Sequence, residues 1–459
     1  MPLQAINSLS TTPKMAALFS DESMLGAMLS FEAGLARSEA SVGVIPASAV
    51  APIEGAARAE LYEAGEIAAA GLRSGTITIP LVKALREKVR AVEPSAAEFV
   101  HWGATSQDVA DTAIILVLKR AREVFQSDVA WLDKALSRHS DANAGTVMLS
   151  RTLLQAAVPT TFGLKVAGWL GAVRRAQARV EDAFGEALIL QLGGAGGTLA
   201  SLGDRGIAVG EALARELSLG YPEAPWHTHR DRLANLMCAL AVMTGSLGKM
   251  ARDISLMMQN EIAEVAEPVA KGRGGSSAMP HKQNPVGCTL TLAAANRVPG
   301  LVSAFLSSMV QEHERAAGGW QSEWATISSI VQATGLAVAS MAEVAEGLRV
   351  DTARMRANLD GTRGTIFAER ANILLSAKLG REAASSLIER ALAASAKGRD
   401  FVDVLAEMPE VARVLDSATL KDLRSPGSYL GSAEQFRTNL MRSQKQECSA
   451  LDRSKGRKS

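Results

Sequence analysis

The sequence predicts an all-α protein: a long central helix bundle flanked by two smaller helical domains. Three observations carry this. Apolar residues make up 47% of the 459 positions while aromatics make up only 4%, a profile that suits closely packed helices better than a β-sandwich. Apolar residues recur at alternating steps of three and four over unusually long stretches, which is the stripe of a long helix packed in a bundle. Small residues such as Gly163, Gly168, Gly171, Ala172, Gly245 and Gly248 fall within these stretches and permit close helix approach.

The clearest row runs Leu233, Leu236, Leu240, Met243, Leu247, Met250, Ile254, Met257. A second runs Phe162, Val166, Trp169, Val173, Ala176, Val180, Phe184, and a third Ile114, Leu118, Ala121, Phe125, Val129, Leu132, Leu136. Trp324, Ile327, Val331, Val338 and Met341 make a fourth, and the segment after Pro285 a weaker fifth. Shorter helices precede these rows, with loops at Gly43–Pro46 and Gly75–Pro80. Thr76–Ile79 is the one β-like run, ended by Pro80. Shorter helices return after about Val350, broken near Gly361–Gly364, Pro409 and Pro426–Gly427. The expected division is 1–105, 106–350 (holding the loop 271–285) and 351–459. Apolar residues on second faces, such as Leu256 and Met258, allow the bundle to pack against copies of itself; the periodicity is equally that of a monomeric core.

Net charge is +1 with the signs interspersed, so the chain lacks the basic surplus of a nucleic-acid partner. Cys238, Cys288 and Cys448 are odd in number and far apart, which supports neither a disulfide framework nor a zinc site. No basic stretch leads into an apolar run at the N-terminus, and the apolar stretches are interrupted by Gly, Lys or Arg. A reduced, cytoplasmic protein with no membrane partner is expected. No HExxH and no GxGxxG after a strand appears, so neither a metal nor a cofactor is expected.

The chemistry concentrates in Lys271–Pro285, KGRGGSSAMPHKQNP. Asn284–Pro285 reads as a cap and first turn, so the loop is Gly-rich at one end and anchored at a helix start at the other. It gathers Ser276, Ser277, Lys282 and Asn284 near a positive helix terminus, and a cation beside a hydroxyl favours its ionised form. On composition alone this is equally a surface loop. Further upstream, Thr105 and Asp108 have the spacing of a capping box that starts a helix at Ser106.

GSSAMPHKQNP closely resembles the signature of the fumarase/aspartase superfamily, matching it at every specified position from Gly275 to Asn284. HWGATSQD (His101–Asp108), Ser150–Gln155 and GGAGGT (Gly193–Thr198) resemble its other characteristic segments. The resemblance implies three helical domains and a homotetramer whose active sites are shared between subunits. It implies Ser276 as the base that takes a proton from the carbon next to a carboxylate, with Lys282 holding the resulting enolate. It implies His101, Thr105, Ser106, Gln155 and Asn284 as substrate-binding residues. HWGATSQDVADTA, PWHTHRDR (Pro225–Arg232) and EHERAAGGWQSEW (Glu312–Trp324) resemble the cycloisomerase branch most, which implies a small tricarboxylate as substrate; the adenylosuccinate lyases share the first segment and the signature.

One departure bears on the leaving group. Several lyases of this superfamily carry an acid/base His in R-T-H-x-Q, where this chain reads Arg151-Thr152-Leu153-Leu154-Gln155. An amine must be protonated before it departs, whereas a carboxylate, with a conjugate-acid pKa of about 4, leaves unaided. Leu153 therefore fits lactone opening, although aspartases also lack the His. No single one of His139, His227, His229, His281 and His313 is assigned; His139, in a charged helical stretch, is expected at the surface.

Overall fold

The computed structural model describes residues 4–269, 274–275, 279 and 282–442. Each expected row lies on one long helix. We number the elements used below: α1 Asp21–Val42, α2 Thr78–Val92, α3 Ser106–Ala142, α4 Phe162–Ala187, α5 Asp231–Met257, α6 Val286–Ser307 and α7 Gly319–Glu346. Every residue of the first three rows is buried, because a 3.5-residue spacing returns to the same helix face at each step. The fold class is all-α.

The expectation that no apolar stretch could cross a bilayer needs correcting. By length and composition α5 and α7 both could, and 61% and 67% of their apolar windows are buried within the protein. The cause is composition: both helices are rich in Ala, Leu, Val, Ile and Met and carry few charges along their middles, as a core helix does.

Two compact units divide the chain, and both draw on the long helices. In the first unit, α1 begins behind Ser20, whose hydroxyl accepts from Ser23 N, and ends at Gly43 in the left-handed region (φ 78°). Its buried face, Phe31 and Leu35, joins Leu81, Leu85 and Val89 of α2 and Val109, Ala113 and Val117 of α3 in one core. Thr76–Ile79 forms no strand. Gly75 (φ 69°) ends the preceding helix and α2 starts at Thr78, so Pro80 sits in a first helical turn, where its missing N–H is harmless.

The second unit contains a hairpin absent from the sequence reading. Strand β1 (Val147–Thr152) pairs antiparallel with β2 (Gln155–Thr161), with Thr152 opposite Gln155. Leu153 and Leu154 make the turn with φ 50° and 66°, the positive values that a type I′ turn demands. Leu149 of β1 joins Leu359, Phe367, Leu375, Leu387, Phe401 and Leu405 in this unit's own core.

Candidate active site

The first unit gathers several of the characteristic segments around Asp108. Helix α3 starts at Ser106 as expected, and Thr105 N donates to Asp108 Oδ2 at 3.0 Å. That carboxylate also accepts from Gly193 N (3.0 Å), Gly194 N (2.9 Å) and His227 Nε2 (2.7 Å). The wholly buried carboxylate thus ties HWGATSQD to GGAGGT and PWHTHRDR. Glycine is required at 193, where an added Cβ would sit 2.7 Å from the His227 ring and Pro225. His227 is a buried strut of this arrangement.

One turn further along α3, Asp111 receives two bonds from Arg230 (2.8 and 3.0 Å) and one from Trp320 Nε1 (2.9 Å). Arg230 also grips Glu323, with Nη2 2.6 Å from Oε2, and lies 4.7 Å from the centre of the Trp226 ring. All three charged side chains are buried. Burial alone would weaken the guanidinium's hold on its proton, but Asp111 and Glu323 outweigh it and raise the pKa. Arg315, which the sequence reading did not single out, donates to Thr105 Oγ1 (2.7 Å) and to the carbonyls of Gly194 (3.2 Å) and Ala195 (3.1 Å). The only sequence signal for it was its place in EHERAAGGWQSEW.

His101 has φ 62° and its Nδ1 lies 2.6 Å from Glu32 Oε1. Burial opposes its protonation, yet the charge and hydrogen bond of Glu32 prevail, helped by Asp108, and its pKa is raised. Seven residues on from Glu32, Glu39 is fully buried, and its carboxyl oxygens find no hydrogen-bond partner among the described residues. Burial, reinforced by Glu32, pushes Glu39 up to about 9. His101 and Ser106 line a cleft of about 410 Å³ in this unit.

In the second unit, Lys282 and Asn284 line a cleft of about 920 Å³ together with Gln283 and Arg349; Arg349 Nη2 donates to Gln283 Oε1 at 2.7 Å. Asn284 N donates to Gly274 O (2.9 Å) and its Nδ2 to Gly275 O (3.3 Å), which pins the loop's two ends to each other. Ser276, Ser277 and His281 lie outside the described residues. The reading of Asn284 as helix cap is corrected: α6 starts at Val286, and its first-turn amides Gly287 N (3.0 Å) and Cys288 N (2.8 Å) donate to the buried Glu267. A carboxylate from the chain itself occupies that positive terminus, satisfying donors that a helix start leaves open.

Gln155 is exposed on β2 and is not among the residues lining the Lys282 cleft. Leu153 is 97% exposed and Leu154 76%. Arg151 is held by Glu264 through two bonds of 2.8 and 2.7 Å, and Asn358 Nδ2 adds a third to Glu264 at 2.9 Å. His139 is half-buried rather than at the surface: its Nε2 donates to Ala345 O at 2.9 Å, and burial lowers its pKa. His229 and His313 are exposed. Among the described residues no group of three His, Cys, Asp or Glu could hold a metal ion.

A family model described as lyase matches residues 8–300, and one described as the adenylosuccinate lyase C-terminus matches 364–439. The chain belongs to the fumarase/aspartase lyase family. Within this family it is 46% identical, over 93% of its length and 95% of the relative's, to a 3-carboxy-cis,cis-muconate cycloisomerase of Bradyrhizobium diazoefficiens. A crystal structure of the 3-carboxy-cis,cis-muconate lactonizing enzyme from Pseudomonas putida superimposes with a TM-score of 0.90 at 44% identity, covering 95% of this chain and 98% of that one. A nitrosuccinate lyase of Streptomyces davaonensis is 41% identical over 92% of this chain and 90% of its own.

Proposed function

We propose that the protein is an intramolecular lyase that interconverts 3-carboxy-cis,cis-muconate and 4-carboxymuconolactone, a step in protocatechuate breakdown. In the lactonising direction a substrate carboxylate oxygen adds to a double bond, and the electron pair passes to the carbon next to another carboxylate. Lys282 and Asn284 hold that enolate, and Ser276 gives it a proton; in reverse, Ser276 takes the proton and the ring carboxylate leaves. Atoms and charge balance without a cofactor, because the substrate's own carboxylate is the electron sink. Donors fixed in advance where charge develops are usually the largest catalytic term. Thr105 and Ser106, at the amino end of a 37-residue helix, suit another carboxylate, with His101 and Gln155 as further contacts.

The observation that carries this reading is Leu153. It stands where several amine-eliminating relatives, though not the aspartases, place an acid, and its exposed position at the hairpin tip offers no proton to a leaving group. A second reading comes from the likeness to a nitrosuccinate lyase, since nitrite also departs unprotonated. Absorbance assays with carboxymuconate, nitrosuccinate and adenylosuccinate separate the three. Turnover of carboxymuconate alone is expected, and robust release of an amine would sink the cycloisomerase reading.

We further propose a homotetramer, built on the three-part division 1–105, 106–350 and 351–459, whose active sites draw on more than one subunit. Light scattering then gives about four times the chain mass. A fully active monomer at micromolar concentration would refute shared sites.

A further inference from the structure

A tricarboxylate brings three negative charges, and the candidate residues named so far contain one permanent cation, Lys282. Burying a carboxylate without a partner is strongly unfavourable, so other cations must meet the substrate. The described arginines of the characteristic segments are already committed, Arg232 to Glu223 among them. Arg151 is locked to Glu264, Arg230 to Asp111 and Glu323, and Arg315 to Thr105 and two carbonyls. The lining of the Lys282 cleft holds as many anions as cations, Glu261 and Asp351 beside Lys282 and Arg349.

The cleft at His101 and Ser106 is different. Its wall is a single stripe of α2, where Ile79, Lys83, Arg86 and Arg90 face it and Glu87 is the one carboxylate, three cations against one anion. The opposite face of α2, Leu81, Leu85 and Val89, is anchored in the core, so the stripe is held facing outward. Arg90 pairs with Glu98 at 3.2 Å. Arg86 spends one N–H on Val100 O (3.2 Å) and keeps the rest of its fork. Neither Lys83 nor Arg86 has an ion-pair partner among the described residues.

We propose that Lys83 and Arg86 are substrate-binding residues that receive a carboxylate of the tricarboxylate in this cleft, beside His101 and Ser106. This rests on the cycloisomerase reading and goes beyond it by assigning the cations. Arg86 offers the planar fork that matches a carboxylate, and Lys83, one turn earlier on the same stripe, adds a point charge.

Steady-state kinetics on carboxymuconate test it with Lys83→Gln, Arg86→Gln, Arg86→Lys and Lys88→Gln. The last removes the same charge from the same helix, but Lys88 lies over the Tyr62 ring and is not among the residues lining the cleft. Loss of a charge-assisted contact raises KM about tenfold or more in Arg86→Gln, with kcat nearly unchanged and partial rescue by Arg86→Lys. Lys83→Gln moves KM the same way, and Lys88→Gln leaves it alone. Wild-type KM in both Lys83→Gln and Arg86→Gln, or an equal effect of Lys88→Gln, overturns the assignment while the reaction itself stands. If the wild type does not turn over carboxymuconate, the cycloisomerase reading falls separately. Calorimetric titration with citrate then decides the cleft: weaker binding in Arg86→Gln than in wild type and Lys88→Gln upholds it, and equal binding overturns it.

Discussion

The polar cluster around Arg230 and the polar cluster around Lys282 make an instructive pair. Around Arg230 the charges are matched and sealed from solvent: Asp108 accepts four bonds, and Arg230 is gripped by two buried carboxylates. Around Lys282 the side chains of Lys282, Gln283 and Arg349 are exposed, and Asn284 is tied to Gly274 and Gly275 through single bonds to backbone carbonyls. Both clusters come from segments that identify the family, yet the first builds the platform on which Thr105 and Ser106 stand and the second faces a large cleft. Characteristic residues are thus of two kinds, and only burial and partners separate them.

The comparison makes opposite demands of substitutions. Ser276→Ala, in the loop beside Lys282, is expected to lower kcat about 10²–10⁴-fold, the span typical of general acid–base groups, with an unchanged melting curve; Ser277→Ala is milder. Near-full activity in Ser276→Ala would remove it from the mechanism. Arg230→Met should do the reverse. Leaving Asp111 and Glu323 buried without their cation costs about 3–5 kcal/mol, read as a lower denaturation midpoint. Unaltered stability would show that the sealed cluster is not a scaffold.

A third test uses pH. Glu39 loses its proton near 4.5 when unperturbed and only near 9 in the fold. The folded state therefore holds one more proton than the unfolded chain between those values, and the stability it contributes falls as pH rises through that window. Glu39→Gln removes the titration. It should melt above the wild type at pH 8, with the gap closing towards pH 5, and a pH-independent gap would contradict the buried acid. The smallest effect is expected of Leu153→His. A carboxylate needs no proton to leave, so lactonisation stays unchanged or declines modestly, and a large gain would refute the leaving-group argument. Because Leu153 is exposed in the chain, the substitution leaves the melting temperature of the subunit unmoved.

The long helices were legible because a 3.5-residue repeat sustained over many turns has no other solution. The hairpin at Val147–Thr161 was not, since its turn is Leu-Leu rather than the Asn-Gly or Asp-Gly pair that announces a type I′ turn. Thr76–Ile79 misled for the converse reason: β-branched residues there are loop and first helical turn, and propensity yields to tertiary context. Of the site, the start of α3 at Ser106 could be read from its capping spacing. The cap of α6 could not, because Glu267 reaches it from outside the Asn-Pro motif, and no local rule points to a carboxylate so placed. Arg315 escaped notice for a similar reason, as its partners are a hydroxyl and carbonyls from distant segments.

The four bonds converging on Asp108 have a consequence for solvent exchange. Thr105, Gly193 and Gly194 belong to loops, where amide protons ordinarily trade with deuterium through small local openings. Here each of these amides is bonded to one buried carboxylate, and releasing any of them exposes an ionisable group in the interior. They should exchange as slowly as helical amides. Deuterium labelling would then show two glycine-bearing loops that are protected like core, with a single side chain as the reason.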